Sequence, residues 1–252
     1  IDVGTSSIKV VAVDPSGKLL AVASSPMSVD VQRPGWSEQN PEDWWTGTCS
    51  AIRQALGEIN SPEVLALGLS GQMHSLVPLD VSLNVVRPAI LWNDVRSSAE
   101  AAYVRDTVGN ESLRRLAGNP SLEGFTVTKL LWMRNHEPQL YEKISHMLLA
   151  KDYVRFRLTG ELATDPSDAS ATLLFDIVNS RWSDEMCSML DVDSALLPPI
   201  VESAEIAARV TSVAASETGL AVGVPVVGGG ADNACAAVGA GVVSSGDALF
   251  SV

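Results

Sequence analysis

The chain has 252 residues, 46% of them hydrophobic, which is enough for one large domain or two modest ones with a sizeable core. Its 17 basic and 30 acidic residues give a net charge of −13, which argues against a nucleic-acid backbone or an anionic membrane surface as partner. No stretch approaches the roughly 18 uninterrupted apolar residues of a membrane helix. Cys49, Cys187 and Cys235 are too scattered for a disulfide framework or a zinc site, so a reducing cytoplasm is the expected compartment.

In chain order, residues 6–13 read as a strand, Pro15-Ser16-Gly17-Lys18 as a turn and residues 19–25 as the returning strand of a hairpin. Asp2 and Gly4 precede it, so an earlier strand is expected to end at Ile1. Asn40-Pro41-Glu42-Asp43 starts a helix with a capping amide, a proline at the first helical position and acids in the first turn. Trp45, Cys49, Ile52 and Leu56 then recur at helical spacing. Residues 64–70, 75–79 and 88–92 read as further strands. The middle is mostly helical, over 98–108, 127–135 and 152–158, with Gly118 and Gly160 as terminators. A helix over 212–218 closes at Gly219, a β-branched strand covers 224–227, Asp232 opens a helix over 233–238, and residues 248–252 begin one more strand. This alternation behind an N-terminal hairpin defines an α/β class with a mixed sheet flanked by helices.

Two glycine-rich acidic motifs carry most of the chemistry. Asp2-Val3-Gly4-Thr5-Ser6 enters the hairpin. Gly4 lets the chain bend, the amides of Gly4, Thr5 and Ser6 can face a phosphate, and Asp2 can hold magnesium or its water. Alone, a strand-end Asp-Gly turn is the commoner explanation. Gly228-Gly229-Gly230-Ala231-Asp232-Asn233 lies between a strand and a helix, where ligands sit in α/β sheets. Three glycines are more than a simple turn needs, although Asp232 also suits a helix cap. With so acidic a chain, an anionic nucleotide has to be met by such local features and a metal ion. Gln72 and His74, after the 64–70 strand, could hydrogen-bond a polyhydroxy ligand, or be satisfied structural residues. Asp94 and Arg96 are expected to pair with each other, and Trp36, Trp44 and Trp45 to pack in the core or a lid.

These segments, with Trp36-Ser37-Glu38-Gln39, Asn40-Pro41-Glu42-Asp43-Trp44-Trp45, Gly71-Gln72-Met73-His74, Leu91-Trp92-Asn93-Asp94, Lys129-Leu130-Leu131-Trp132, Lys151-Asp152-Tyr153, Thr159-Gly160-Glu161 and Asp165-Pro166-Ser167-Asp168-Ala169, resemble in order the N-terminal domain of the FGGY carbohydrate kinases, and within them a pentulose kinase. The resemblance implies an actin-like ATPase, ribonuclease-H-like fold. It implies that residues 1–252 are the sugar-binding domain, with the first strand and the entire C-terminal ATP-binding domain lying outside them, so that these residues alone are expected to be inactive. The implied reaction is ATP- and magnesium-dependent phosphorylation of a ketopentose, D-xylulose to D-xylulose 5-phosphate first, with ribulose, another ketose or a polyol as alternatives. Glycerol is disfavoured, because glycerol kinases are expected to carry Arg-Glu where Met73-His74 stands. An actin-like or chaperone-type ATPase would share the Asp2 motif but has no use for the sugar-kinase segments. By the match, Asp232 is the general base and Asp2 the second essential carboxylate and the metal-binding one. Met73, His74, Asn233, Gln72 and Arg115 are the implied sugar contacts, and Gly4, Thr5 and Ser6 those of the nucleotide. The implied partners are the sugar and ATP, with no nucleic acid or membrane, and a homodimer is open to the full-length protein.

Overall fold

Five strands organise the chain: β1 (Asp2–Val3), β2 (Ser7–Val13), β3 (Leu19–Pro26), β4 (Ser70–Gly71) and β5 (Gly230–Ala231), in the spatial order β5-β4-β1-β2-β3. The computed structural model describes residues 1–60 and 62–250. β1, β2 and β3 are antiparallel neighbours, whereas β4 runs parallel to both β1 and β5. The sheet is therefore mixed, as the sequence pattern implied. The first strand does not end at Ile1 but runs through Asp2 and Val3, which places Asp2 inside the sheet.

In the hairpin, Ile8 and Val10 point inward and Lys9 and Val11 outward, the period of two that a half-covered sheet demands. α1 (Pro41–Gly57) lies across the inward face. Asn40 accepts a 3.1 Å hydrogen bond from the Glu42 amide, so the cap read from the sequence is present. Trp44, Trp45, Ala51, Ile52 and Ala55 of this helix meet Ile8, Val10, Ala21 and Ala23 in one core. A second core joins the helices Ser98–Val108, Asn110–Leu116, α2 (Thr126–His136) and Asp184–Leu190 through Val104, Leu113, Leu130, Leu131, Met133, Met186 and Leu190. α3 (Ala150–Thr159) and α4 (Pro166–Ser170) follow, and α5 (Asp232–Gly239) leaves β5 directly.

Charge pairs surround Trp36 beside the second core. Buried Glu38 pairs with Arg87 and, at 2.6 Å, with Arg96. Arg96 also pairs with Asp94 at 2.7 Å and lies 3.7 Å from the Trp36 ring centroid. Asp94 and Arg96 thus pair as expected, and Trp36, Trp44 and Trp45 are packing residues.

Strand lengths differ from the sequence reading because pairing, not composition, decides them. Of residues 64–70 only Ser70 belongs to a strand, in Ser70–Gly71, while Leu67 makes an isolated bridge to Val226. Val77–Leu79 and Ala89–Ile90 are shorter than expected. Residues 248–250 are not in a strand, and Ser251 and Val252 lie outside the described residues.

The two glycines before β5 have a packing reason. Gly228 runs against the backbone of Val201 and Glu202, and Gly229, at φ +77°, abuts the Leu69 carbonyl. A side chain at Gly229 would be strained in the left-handed region and would strike a carbonyl that cannot move aside. Gly229→Ala should cost at least the ~1–3 kcal/mol of a strained backbone, seen as a lower denaturation midpoint. Gly57→Ala, in α1 with open space around it, should be neutral or stabilising. Equal costs for the two would contradict the close approach at Gly229.

Candidate active site

Asp2 stands opposite Ser70, and Ser70 opposite Gly230, so β1, β4 and β5 reach one edge of the sheet in register. Their carboxyl ends release three short segments there: Gly4-Thr5-Ser6, Gln72-Met73-His74 and Asp232-Asn233. Parallel pairing is what brings residues so distant in sequence to one edge, the usual place for a ligand in such sheets.

Asp2 Oδ1 accepts a 2.7 Å hydrogen bond from Ser70 Oγ. Among the described residues, its Oδ2 receives none. Asp232 is the first residue of α5, with Ala231 in the cap position, so its side chain is not the N-cap that one sequence reading made of it. Its Oδ1 accepts from the Asn233 amide at 2.6 Å. Partial burial raises the Asp232 carboxyl above the ordinary range, the Asn233 amide opposes that, and the nearby Asp2 charge adds to it. A carboxylate poised upward in this way is a readier proton acceptor. Asn233 Nδ2 donates to Met73 Sδ at 3.7 Å, joining the second and third segments.

His74 takes a positive φ of 67° at a non-glycine position. Thr126 Oγ1 at 3.1 Å and Lys129 Nζ at 3.2 Å both donate to its carbonyl, which fixes this backbone. The ring packs edge-on against Phe125, and Nδ1 lies 2.8 Å from the Ala171 carbonyl. A carbonyl can only accept, so Nδ1 carries the hydrogen. Burial lowers the His74 pKa to about 4, the Ala171 bond opposing and the Lys129 charge assisting. The ring is neutral at pH 7, and its Nε2 is an acceptor for a hydroxyl donor.

Other expected contacts are placed differently. Gln72 is buried and bonded within the protein: Nε2 donates to Gln39 Oε1 at 3.2 Å, while Oε1 accepts from Thr5 and Ser75 hydroxyls, each at 3.2 Å. These bonds brace the first two segments against each other. The Gly4 amide is also used, donating to Ser7 O at 3.1 Å. The Thr5 and Ser6 amides have no protein acceptor among the described residues. Arg115 is an exposed residue paired with Glu185 at 2.7 Å, and none of its bonds reaches the three segments. Residues not singled out in the sequence also belong here. Trp92 is 48% exposed and its Nε1 donates to Thr5 Oγ1 at 2.9 Å. Lys129 is buried, with Gly124, Phe125 and His74 carbonyls as its acceptors. Its only sequence signal was membership of the Lys129-Leu130-Leu131-Trp132 segment.

The FGGY family of carbohydrate kinases, N-terminal domain, matches residues 1–239. The chain belongs to the FGGY family of carbohydrate kinases. It is 41% identical to the xylulose kinase of Bacillus subtilis and 42% identical to that of Escherichia coli, covering 100% of this chain and 51% of each relative. The chain thus spans about half the length of the curated relatives it matches. Among solved structures, the xylulose kinase from Rhodospirillum rubrum superposes with a TM-score of 0.94 at 29% identity, over 98% of this chain and 52% of that one. A xylulose kinase from Brucella ovis gives 0.89 at 37% identity, over 97% and 50%. The mixed sheet and its flanking helices are the actin-like, ribonuclease-H-like fold that FGGY kinases share. Among the described residues, no helix is long and apolar enough to cross a membrane.

A magnesium ion fits this FGGY site only as a partly protein-bound one. Among the described residues, no group of three or more His, Cys, Asp or Glu side chains forms a cage. Magnesium rarely needs one, taking one or two carboxylates and filling its shell with water and substrate phosphates. Asp2 Oδ2, with no hydrogen-bond donor among the described residues, is a carboxylate oxygen of the kind such an ion would take.

His74 also makes stability depend on pH. Its folded pKa of about 4 lies below the ordinary 6.5, so an unfolded chain takes the proton first. This contribution to stability is complete above pH 6.5 and is lost as pH falls toward about 4. His74→Gln should flatten the fall in melting temperature across that window. An unchanged slope would show that the folded ring is protonated at ordinary histidine pH.

Proposed function

We propose that the complete protein phosphorylates a ketopentose with ATP, D-xylulose first, and that residues 1–252 form its sugar-binding domain. A second domain meets the adenine. The observation that carries this reading is the meeting of Asp232 and Asp2 at parallel strand ends beside Met73 and His74. The 41–42% identity to two xylulose kinases, over the whole of this chain, supports the choice of ketose.

In this reading the sugar lies against Met73, His74 and Asn233. His74 Nε2 accepts a hydrogen bond from one sugar hydroxyl, which the neutral ring can do and an imidazolium cannot. Asp232 takes the proton of the attacking hydroxyl as its oxygen bonds to the γ-phosphorus of ATP, and ADP leaves. The Thr5 and Ser6 amides face the phosphates. Magnesium, when bound, offsets phosphate charge, held by Asp2 directly or through its water. Closure of the two domains excludes water, the competing acceptor.

The test is ADP release by the complete protein with D-xylulose, ribulose and glycerol as acceptors. D-xylulose should be preferred, and residues 1–252 alone should give negligible turnover. Asp232→Asn keeps the shape of the side chain and its bond from the Asn233 amide but loses the proton acceptor. Its kcat should fall about 10²–10⁴-fold with the melting temperature nearly unchanged. Near-normal kcat would move the base elsewhere, to Asp2 first. Preference for glycerol would overturn the ketose assignment.

A further inference from the structure

Behind α5 lies a cluster of charges that this reaction leaves unused. Lys151, Asp152, Arg155, Asp165 and Asp168 are all fully buried. Lys151 Nζ sits 2.6 Å from Asp152, 2.9 Å from Asp165 and 3.1 Å from Asp168. Arg155 pairs with Asp152 at 2.9 Å and donates to the Gly228 carbonyl. Asp165 Oδ2 accepts from the Ser167 hydroxyl at 2.6 Å and from the Ser167 amide at 2.9 Å.

The Ser167 hydroxyl commits its proton to Asp165 and so presents a lone pair on its other side. Its oxygen accepts the Ala231 N–H at 2.9 Å. β5 is the edge strand of its sheet, and this N–H faces away from β4. Ala231 is fully buried, caps α5 and immediately precedes Asp232. A line of contacts therefore runs from Lys151 through Asp165 and Ser167 to the backbone beside Asp232. Arg155 grips the same arm three residues earlier.

We infer that Ser167, held by Asp165, which in turn pairs with Lys151, is a positioning residue for Asp232. This rests on the reading of Asp232 as the base. Without the Ser167 oxygen, a buried N–H loses its acceptor. Gly229 and Gly230 just before it have no side chains to anchor the arm, so the strain is relieved by movement of the backbone that carries Asp232. A reacting group displaced by about 1 Å loses rate steeply. Of the ketose contacts, Met73 and His74 hang from a different strand and stay in place, and only Asn233 moves with Asp232, so the loss falls mainly on kcat.

The test uses the complete protein with ATP and the ketose it turns over best. Ser167→Ala should lower kcat about 10–100-fold and leave the ketose KM within about twofold. Ser167→Thr, which keeps the hydroxyl, should recover most of the rate. Melting temperatures of both variants separate unfolding from mispositioning. Ser167→Ala with a normal kcat, or Ser167→Thr no better than Ser167→Ala, would overturn the inference. Asp232→Asn measured beside them distinguishes the two failures. If it loses rate while Ser167→Ala does not, only the positioning role falls. If it keeps its rate, the base assignment falls and the positioning role with it.

Discussion

The parallel pairing of two residues, Ser70 and Gly71, between β1 and β5 is the constraint on which the site depends. It aligns Asp2, Ser70 and Gly230 across three strands and so puts two carboxylates at one edge. The pairing leaves no room for a side chain at position 71. A Cβ on Gly71 would lie 3.0 Å from Val3 Cβ and 3.1 Å from Lys151 Cβ. β1 and α3 can approach β4 this closely only because glycine is there.

Buried charge supports that alignment from behind. Lys151 sits in a site whose burial alone would lower its pKa, yet the surrounding carboxylates hold it above the ordinary lysine range. Burial dominates at Asp168, whose pKa is pushed up to about 7. Such clusters are weak sources of stability, since desolvation offsets much of the attraction. What they supply is direction. Carboxylates and cations with few alternative partners fix the backbone of α3, α4 and β5 in one arrangement, and the residue that follows β5 is Asp232. Glu38, Arg87, Asp94 and Arg96 hold the Trp36 and Trp92 segments in the same manner.

What could be read in the sequence follows the range of the forces involved. The hairpin and the start of α1 rest on local rules, turn glycine and Asn-Pro capping, and both are present. The helices over 98–108 and 212–218 keep their expected bounds. Residues 64–70 failed as a strand because strand length depends on a partner hundreds of atoms away in the chain. The glycines at 228–230 signalled a special backbone but not its cause, which for Gly228 and Gly229 is contact with Val201, Glu202 and Leu69. Gln72 has the right chemistry for a sugar contact, and only the folded chain shows that it also bonds Gln39, Thr5 and Ser75. Lys129 and Lys151 are residue types expected at the surface, and only the folded chain shows that their acceptors lie inside. The two carboxylates at the centre were legible as motifs, and the family resemblance implied that they share a site; the strand register that joins them was not legible.

The central claim is that sheet register makes Asp2 part of the electrostatic environment of Asp232. The direct measurement is an NMR titration of the Asp232 side-chain carboxyl in the wild-type protein and in Asp2→Asn. The account predicts that Asp232 titrates above the ordinary aspartate range in the wild type and moves down when Asp2 is neutralised. An Asp232 carboxyl that titrates as an ordinary aspartate, or that ignores the loss of charge at Asp2, would contradict it.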